Sequence, residues 1–376
     1  MVEVEGPFCR LKWEPINLNS SDQVNEYLLS VGWQPDEWNY KTDRNGRPEY
    51  DEQGQKIPTS PKLTESSFES VQGDIPKLVA RRNILIHRQR LLKNTRKDGK
   101  ETGWLNQLRS DGRLEASGIP LATNTGRYRH SGVVNVPSVD AVYGADIRSL
   151  FTAGAGLQLV GVDAAALEAR IQAHYVYPYK GGKELADLLV HGDIHESNAA
   201  LWGVSRKEAK SPYYCLMYGG QAAKLAETMG CSLQDAQEYY DMFWGNYAPL
   251  AAFRDTIGGV WKQRGGKKSG YLKGLDGRKL YARSQHSLVN MMFQSGGSIV
   301  VKLATVLTDR WVKKYNINSW QVLHMHDEFQ RETDPNHVEL VQALSCKAFE
   351  EAGRYFKMNV PIVGTAKVGA NWRDTH

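Results

Sequence analysis

The chain has 376 residues, 41% of them apolar, and 47 Lys and Arg against 42 Asp and Glu give a formal net charge of +5. Its length exceeds one average domain and can bury a sizeable core, so two or three subdomains are expected, and so modest a charge leaves nucleic-acid binding to local clusters of basic residues. Four cysteines (Cys9, Cys215, Cys231, Cys346) without Cys-x-x-Cys spacing, no leader-like N-terminus and no apolar run of about 18 residues argue against a disulfide scaffold, export and a membrane span; the expectation is a cytoplasmic protein with no membrane partner.

Residues 1 to about 73 are polar and turn-rich, with one short helix predicted near Ser21–Ser30 and little that suggests chemistry. From Ile75 to Lys97 no acidic residue occurs, and Lys77, Arg81, Arg82, Arg88, Arg90, Lys93, Arg96 and Lys97 interleave with Leu78, Val79, Leu85, Leu91 and Leu92 in a helical pattern. A solvated surface helix normally mixes signs, whereas an all-cationic face suits a phosphate backbone. Thr125-Gly126-Arg127 follows, too short to mean much alone. Leu157 to Val162 is a β-branched run that ends where Ala164 to Ala173 takes on helical composition. Asp163 therefore stands at the carboxyl end of a strand, able either to ligate a hard divalent cation or to cap the helix that follows.

Glu184 to Val190 is helical and acidic and leads into His191-Gly192-Asp193-Ile194-His195. Those two histidines, with a glycine between them and no third His or Cys nearby, make a poor zinc site and read as a structural loop. Ser205-Arg206-Lys207-Glu208 fits a capping box, so a helix is predicted from there, with Arg206, Lys210, Tyr214 and Tyr218 recurring every four residues on one drifting face. Two cations followed by two aromatics can pair phosphates at one end and stack a sugar and base at the other. Pro212 inside the helix predicts a kink between the cations and Tyr214.

Cys231 to Trp261 reads as two helices broken at Asn246 to Pro249, and Trp261 to Arg283 is basic again, with Asp276-Gly277 predicted as a two-residue hairpin turn between Tyr271-Leu272 and Leu280-Tyr281. His286, Asn290 and Gln294 are spaced by four on the next predicted helix and either face a duplex or form a buried polar ladder. Trp320 to Thr333 reads as two strands joined at His326-Asp327-Glu328. Asp327, brought beside Asp163, can bridge two Mg²⁺ ions about 3.5–4 Å apart.

Val162 to Arg170, Arg206 to Gly219 and His326-Asp327-Glu328 resemble, in order, motifs A, B and C of family A DNA polymerases. Gly192 to His195, Gly274 to Lys279 and Gly369-Ala370-Asn371-Trp372 are similar in particular to the replicative polymerases of short-tailed T-odd bacteriophages, and the likeness is dense from about Gly103 onward and thin before it. The resemblance implies an α+β right-hand polymerase fold with an antiparallel palm sheet, helical fingers and a truncated thumb. Residues 1–103 would be an abbreviated thumb base, 104–190 the first palm segment, 191–279 the fingers and 280–376 the second palm segment.

The activity implied is template-directed addition of deoxynucleoside monophosphates to a primer 3′-hydroxyl. Two Mg²⁺ would be held by Asp163, Asp327 and the carbonyl of Ala164, with Glu328 a nearby catalytic acid of lesser role and Lys210 a further catalytic residue. Arg206 and Lys210 would grip the triphosphate, His195 the β-phosphate and Tyr214 the sugar, over Ala164, while Glu168 excludes a 2′-hydroxyl. Arg127, Tyr218, Arg283, His286, Asn290 and Gln294 would meet DNA, and His326 the primer terminus. Pro212 departs from the family pattern. The implied partners are primer–template DNA, dNTPs and a separate exonuclease/thumb subunit or processivity factor, with Trp13, Trp33 and Trp38 as docking candidates. The alternatives are a catalytically silent nucleic-acid-binding subunit, against which the complete acid and base set argues, and a nuclease, for which no Asp-x-Glu triplet is present.

Overall fold

The computed structural model describes residues 14–44, 49–51, 56–64, 67, 70–96 and 98–376, so Cys9, Trp13 and Lys97 lie outside the described residues. Two compact units emerge, one of residues 1–113 and 137–147, the other of 114–136 and 148–376.

In the first unit, α1 (Ser21–Ser30) starts on Ser20, whose hydroxyl accepts from the Gln23 N–H, and buries Val24 and Leu28 against Trp33, Val71 and Ala80. Trp33 is only 2% exposed, a core residue and not a docking surface; Trp38 is half-buried. Strand β1 (Glu37–Tyr40) pairs antiparallel with β2 (Pro58–Lys62). Helix α2 (Asp74–Leu92) realises the basic stretch differently from the sequence expectation. Its buried stripe is Pro76, Ala80, Ile84 and Arg88, while Leu78 and Leu85 stay exposed. Several of its cations are engaged within the unit: Arg81 Nε donates to the Tyr143 hydroxyl (2.8 Å), Arg82 Nη1 to the Leu18 carbonyl (2.6 Å) and Arg88 Nε to the Val142 carbonyl (3.1 Å). The helix also stops at Leu92, because Lys93 turns extended and β3 (Asn94–Thr95) folds back on β4 (Glu101–Thr102).

The second unit opens with the hairpin of β5 (Ser117–Ile119) and β6 (Arg129–Ser131); α3 (Gly144–Ser149) carries the chain back into it. Next come β7 (Gln158–Ala164) and α4 (Leu167–Val176), then the helical stretch α5 (Gly182–His191), α6 (Ile194–Trp202), α7 (Arg206–Met217), α8 (Ala222–Met229), α9 (Leu233–Asn246), α10 (Ala248–Gln263) and α11 (Gly266–Ser269). Pro249, in the first turn of α10, explains the break after α9. Hairpin β8 (Tyr271–Lys273) and β9 (Lys279–Tyr281) pairs Lys273 with Lys279, so its connection is the five residues 274–278 and not the predicted two. The Gly274 N–H closes that loop onto the Arg278 carbonyl at 3.0 Å. Long α12 (Leu288–Lys314), β10 (Ser319–Met325), β11 (Glu328–Thr333), α13 (Val338–Tyr355) and β12 (Gly364–Gly369) complete the unit.

One four-stranded antiparallel sheet, in the order β10-β11-β7-β12, organises this unit. Central β7 is covered on both faces, which is why it reads as a nearly continuous apolar run; Val160 and Val162 are fully buried. α13 covers one face, with Phe349 stacked on Phe329 at 6.0 Å. The C-terminal turn crosses β7 at Gly161, where an added Cβ would come within 2.7 Å of Thr375 Cβ. Helix 285–314 is long and apolar enough by composition to cross a membrane, yet it is mostly buried within the protein and serves as a core helix. It meets α4 through Gly296 and Gly297; a Cβ at Gly296 would lie 2.9 Å from Ile171 Cγ2.

Candidate active site

The carboxylates converge through sheet register. β7 pairs with β11 so that Asp163 stands opposite Glu328, and with β12 so that it stands opposite Thr365. The β10–β11 connection is the pair His326-Asp327, with His326 left-handed at φ 54, and the Ala164 N–H donates to the Asp327 carbonyl at 3.2 Å. Asp163 and Asp327 therefore share one end of the sheet. Burial, followed by the neighbouring Asp327 and Glu328 carboxylates, pushes Asp163 up to about 6. Of the two readings open for Asp163, capping is ruled out: α4 begins on Ala166, left-handed at φ 47, with no side-chain cap. The turn is held instead by Arg170, which donates to the carbonyls of Ala165 (2.9 Å) and Pro361 (2.7 Å).

Glu328 differs from the expectation of a catalytic acid. It is buried and accepts from Trp372 Nε1 (2.5 Å) and Gln330 Nε2 (2.6 Å), with His376 Nδ1 at 3.2 Å. Burial alone would raise its carboxyl, but the hydrogen bonds from His376, Gln330 and Trp372 outweigh that and hold it below the usual range. It is committed to locking the C-terminal turn onto the sheet, where Phe151 and Arg148 also pack on the Trp372 ring (5.5 and 4.4 Å). For a metal, the remaining donors, Asp163 and exposed Asp327, are hard oxygens, and Mg²⁺ is commonly held by one or two carboxylates with substrate oxygens completing its shell. The donor set fits, and the burial and neighbouring negative charge that raise Asp163 are what a cation would offset. Among the described residues no group of three or more His, Cys, Asp or Glu forms a closed metal cage.

Helix α7 supplies the second wall. Its capping box is as predicted, with the Ser205 hydroxyl accepting from Glu208 N–H and the Glu208 carboxylate from Ser205 N–H (2.8 Å). The helix is continuous from Arg206 to Met217 through Pro212, which is buried. Arg206 and Lys210 are exposed, and Arg206 Nε donates to Asp193 Oδ2 at 2.6 Å. His195 lies on the first turn of α6, capped by Asp193, and not in a loop; its ring meets Tyr213 edge-on at 5.2 Å and Tyr214 at 5.6 Å. Burial lowers its imidazole pKa, and Arg206 and Lys210 lower it further against the pull of Asp193. Tyr214 stacks on Tyr218 at 5.9 Å, and the Tyr218 hydroxyl reaches Glu168 at 3.5 Å. Burial holds the Glu168 carboxyl above the usual range, against the opposing pull of Arg127 and the Tyr218 hydroxyl.

A cleft of about 760 Å³ gathers most of the remaining expected residues: Arg127, Arg283, Asn290, Gln294 and His326 all line it. Its Thr-Gly-Arg edge is tied to α12, since Ser298 Oγ and Lys302 Nζ both donate to the Gly126 carbonyl. Gly126 sits at φ +78 with the Arg278 guanidinium so close that a Cβ would collide with it, so this turn requires glycine. His286 does not join the cleft. It belongs to a 3-10 turn (Gln285–Ser287) ahead of α12 and lines a different cleft with Tyr240, Trp244 and Arg254, because the turn rotates it off the helical face that carries Asn290 and Gln294. Sequence reasoning missed Tyr128, His130 and His324 behind His326. Tyr128 packs on His324 at 4.5 Å and His130 meets His326 edge-on at 5.4 Å. Burial, then His130, Lys302 and His326, push His324 down to about 4.

A helix-backed antiparallel sheet with paired acids at a hairpin tip, faced by a helix bearing cations and tyrosines, is the architecture of the right-hand polymerase fold. The solved polymerase domain of Pol1 from M. smegmatis, in complex with DNA primer-template and dNTP, superposes on 96% of this chain and 62% of its own at a TM-score of 0.69, with 21% identity. The family model for DNA polymerase family A matches residues 1–374, and the chain belongs to that family. Among relatives, the DNA-directed DNA polymerases of Enterobacteria phage T3 and Escherichia phage T7 are each 26% identical over 99% of this chain and 54% of their own length. DNA polymerase I of Thermus thermophilus is 28% identical over 98% of this chain and 43% of its own. The chain thus spans about half the length of the phage relatives it matches.

Proposed function

We propose that this chain catalyses template-directed DNA synthesis, transferring a deoxynucleoside monophosphate from a dNTP to a primer 3′-hydroxyl with release of pyrophosphate. The observation that carries the reading is the sharing of one sheet end by Asp163 and Asp327, with the Asp163 carboxyl raised to about 6 by burial and the acids beside it. Residues 104–190 and 280–376 act as the palm, 191–279 as the fingers and 1–103 as an abbreviated thumb base. Asp163, Asp327 and the Ala164 carbonyl would hold Mg²⁺, which when bound supplies charge neutralisation at the attacking oxygen and the departing pyrophosphate.

The chain's own side chains do the rest. Arg206 and Lys210 pair the triphosphate, His195 donates to a phosphate oxygen, and Tyr214 supports the sugar. Glu168 closes the space beneath the 2′ position. Arg127, Arg283, Asn290, Gln294 and His326 follow the duplex along the 760 Å³ cleft, whose lining includes them. Primer–template DNA and dNTPs are the partners on this reading, and no activity carried by the rest of the longer relatives is attributed to this chain.

The test is extension of a labelled primer on a template, with four dNTPs and Mg²⁺. Copied products are expected. Tight binding without extension would favour a silent nucleic-acid-binding subunit, and shortening of the primer would favour a nuclease.

A further inference from the structure

Between the palm helix α4 and the fingers helix α7 lies a buried polar contact that none of the roles above uses. Tyr213, 5% exposed, donates its hydroxyl to Gln172 Oε1 at 2.5 Å, and Gln172, 2% exposed, donates its amide to Met217 Sδ at 3.4 Å. Polar groups buried to this degree are costly unless paired, so each partner holds the other in place. The geometry is also specific in register. On α4, Glu168 and Gln172 are one turn apart; on α7, Tyr213 and Met217 are one turn apart, and the next residue, Tyr218, is the one that reaches Glu168. α4 itself is a fixed platform, packed closely against Gly296 and Gly297 of α12. Pro212, immediately before Tyr213, removes one bond from the helical ladder, so the half of α7 that carries Tyr214 depends on side-chain anchoring for its orientation. The same Tyr213 ring is the surface against which His195 rests.

We propose that Gln172 and Tyr213 are positioning residues for nucleotide selection: their hydrogen bond fixes the rotation of α7 on α4 and thereby sets Tyr214 and His195 around the incoming nucleotide. The inference rests on the proposed polymerase reading. Removing either polar group leaves the other buried and unpaired, so Tyr213→Phe and Gln172→Leu each destabilise the protein, whereas the double variant removes both and is less destabilised than the sum of the two.

That cycle separates positioning from mere stability. The full chain and the three variants are compared by denaturant unfolding, by kcat and KM for correct and mispaired dNTPs, and by hydrogen exchange of the 213–218 amides. Expected is a roughly tenfold loss of kcat/KM for the correct nucleotide and a reduced preference over the mispaired one in both single variants. The loss persists in the double variant although it is less destabilised than the sum of the two, and exchange at 213–218 is faster in all three. Kinetics that recover along with stability, or exchange unchanged in every variant, would overturn the proposal. If the parent chain extends no primer, the polymerase reading falls by itself, while unchanged exchange would still refute the anchor and faster exchange would leave it standing as a helix lock.

Discussion

The two walls of the site are held in opposite ways. At the sheet end, Asp163 sits on a strand buried on both faces, and its cross-strand neighbour Glu328 is fixed by Trp372, Gln330 and His376. On α7, the C-terminal half is buried through Pro212, Tyr213, Leu216 and Met217, whereas in the N-terminal half Ala209 alone is buried and Arg206 and Lys210 are exposed. On the proposed reading, the acids that would hold a metal are built into the part of the fold least able to move, and the cations that would grip and release a triphosphate are built on the part with the fewest constraints.

On that contrast, the sheet end tolerates no change of charge. Asp163→Asn and Asp327→Asn preserve side-chain size while removing a metal-ligating charge, and each is expected to cut primer extension by roughly 10³-fold or more, the several kcal/mol that a metal supplies to a phosphoryl transition state. Duplex binding, measured by fluorescence anisotropy, should stay close to the parent value. Extension within about tenfold of the parent in either variant would remove the metal assignment.

On the helix the effects are graded. Tyr214 carries a hydroxyl next to the proposed sugar site, able to stand in for a missing 3′-hydroxyl, so dideoxynucleotides should be incorporated readily. Tyr214→Phe is expected to restore discrimination by about 10- to 100-fold, the range of a hydrogen bond of ~1.5–3 kcal/mol to a charged partner. Equal use of terminators by both proteins would mean that this face of α7 is turned away from the sugar. Glu168, half-buried and reached by Tyr218, lies where the walls meet. Glu168→Ala should raise ribonucleotide incorporation by about tenfold, roughly 1.4 kcal/mol, at some cost in rate. An unchanged ribo-to-deoxy ratio would leave Glu168 as a structural acid.

The same contrast explains what the sequence disclosed. The helix wall was legible because its signals, a capping box of four residues and a four-residue recurrence, are local, and the strand-to-helix switch at Asp163 on the sheet wall is equally local. The His326-Asp327 hairpin tip was legible for the same reason. The supports of the two walls were not, because Trp372 meets Glu328 across 44 positions and Tyr213 meets Gln172 across 41, and neither pairing has a periodic signature. The arginines of α2 illustrate the converse error. A run of like charge suggested a free cationic face, but Arg81, Arg82 and Arg88 find oxygen acceptors far away in sequence, on Tyr143, Leu18 and Val142.

The smallest expected effect probes the exposed end of α7. Asp193 has two jobs there: its Oδ1 caps α6 by accepting from the N–H groups of His195 and Glu196, and its Oδ2 holds Arg206 at 2.6 Å. The Arg206 hydrogen bond, chiefly, holds the Asp193 carboxyl below the usual carboxylate range. On the proposed reading, a triphosphate would compete with this carboxylate for the guanidinium. Asn keeps the capping oxygen and removes the charge, so Asp193→Asn should leave α6 intact and free Arg206 for the nucleotide. Exposed pairs of this kind contribute ~0–1 kcal/mol, so KM for the dNTP should fall by no more than about fivefold. The gain should shrink as salt is raised, since both the pair and its competitor are screened. A KM that rises instead, with the unfolding midpoint unchanged, would show that Asp193 orients Arg206 for the phosphate and does not compete with it, which would move this residue from the loosely held wall of the site to the preorganised one.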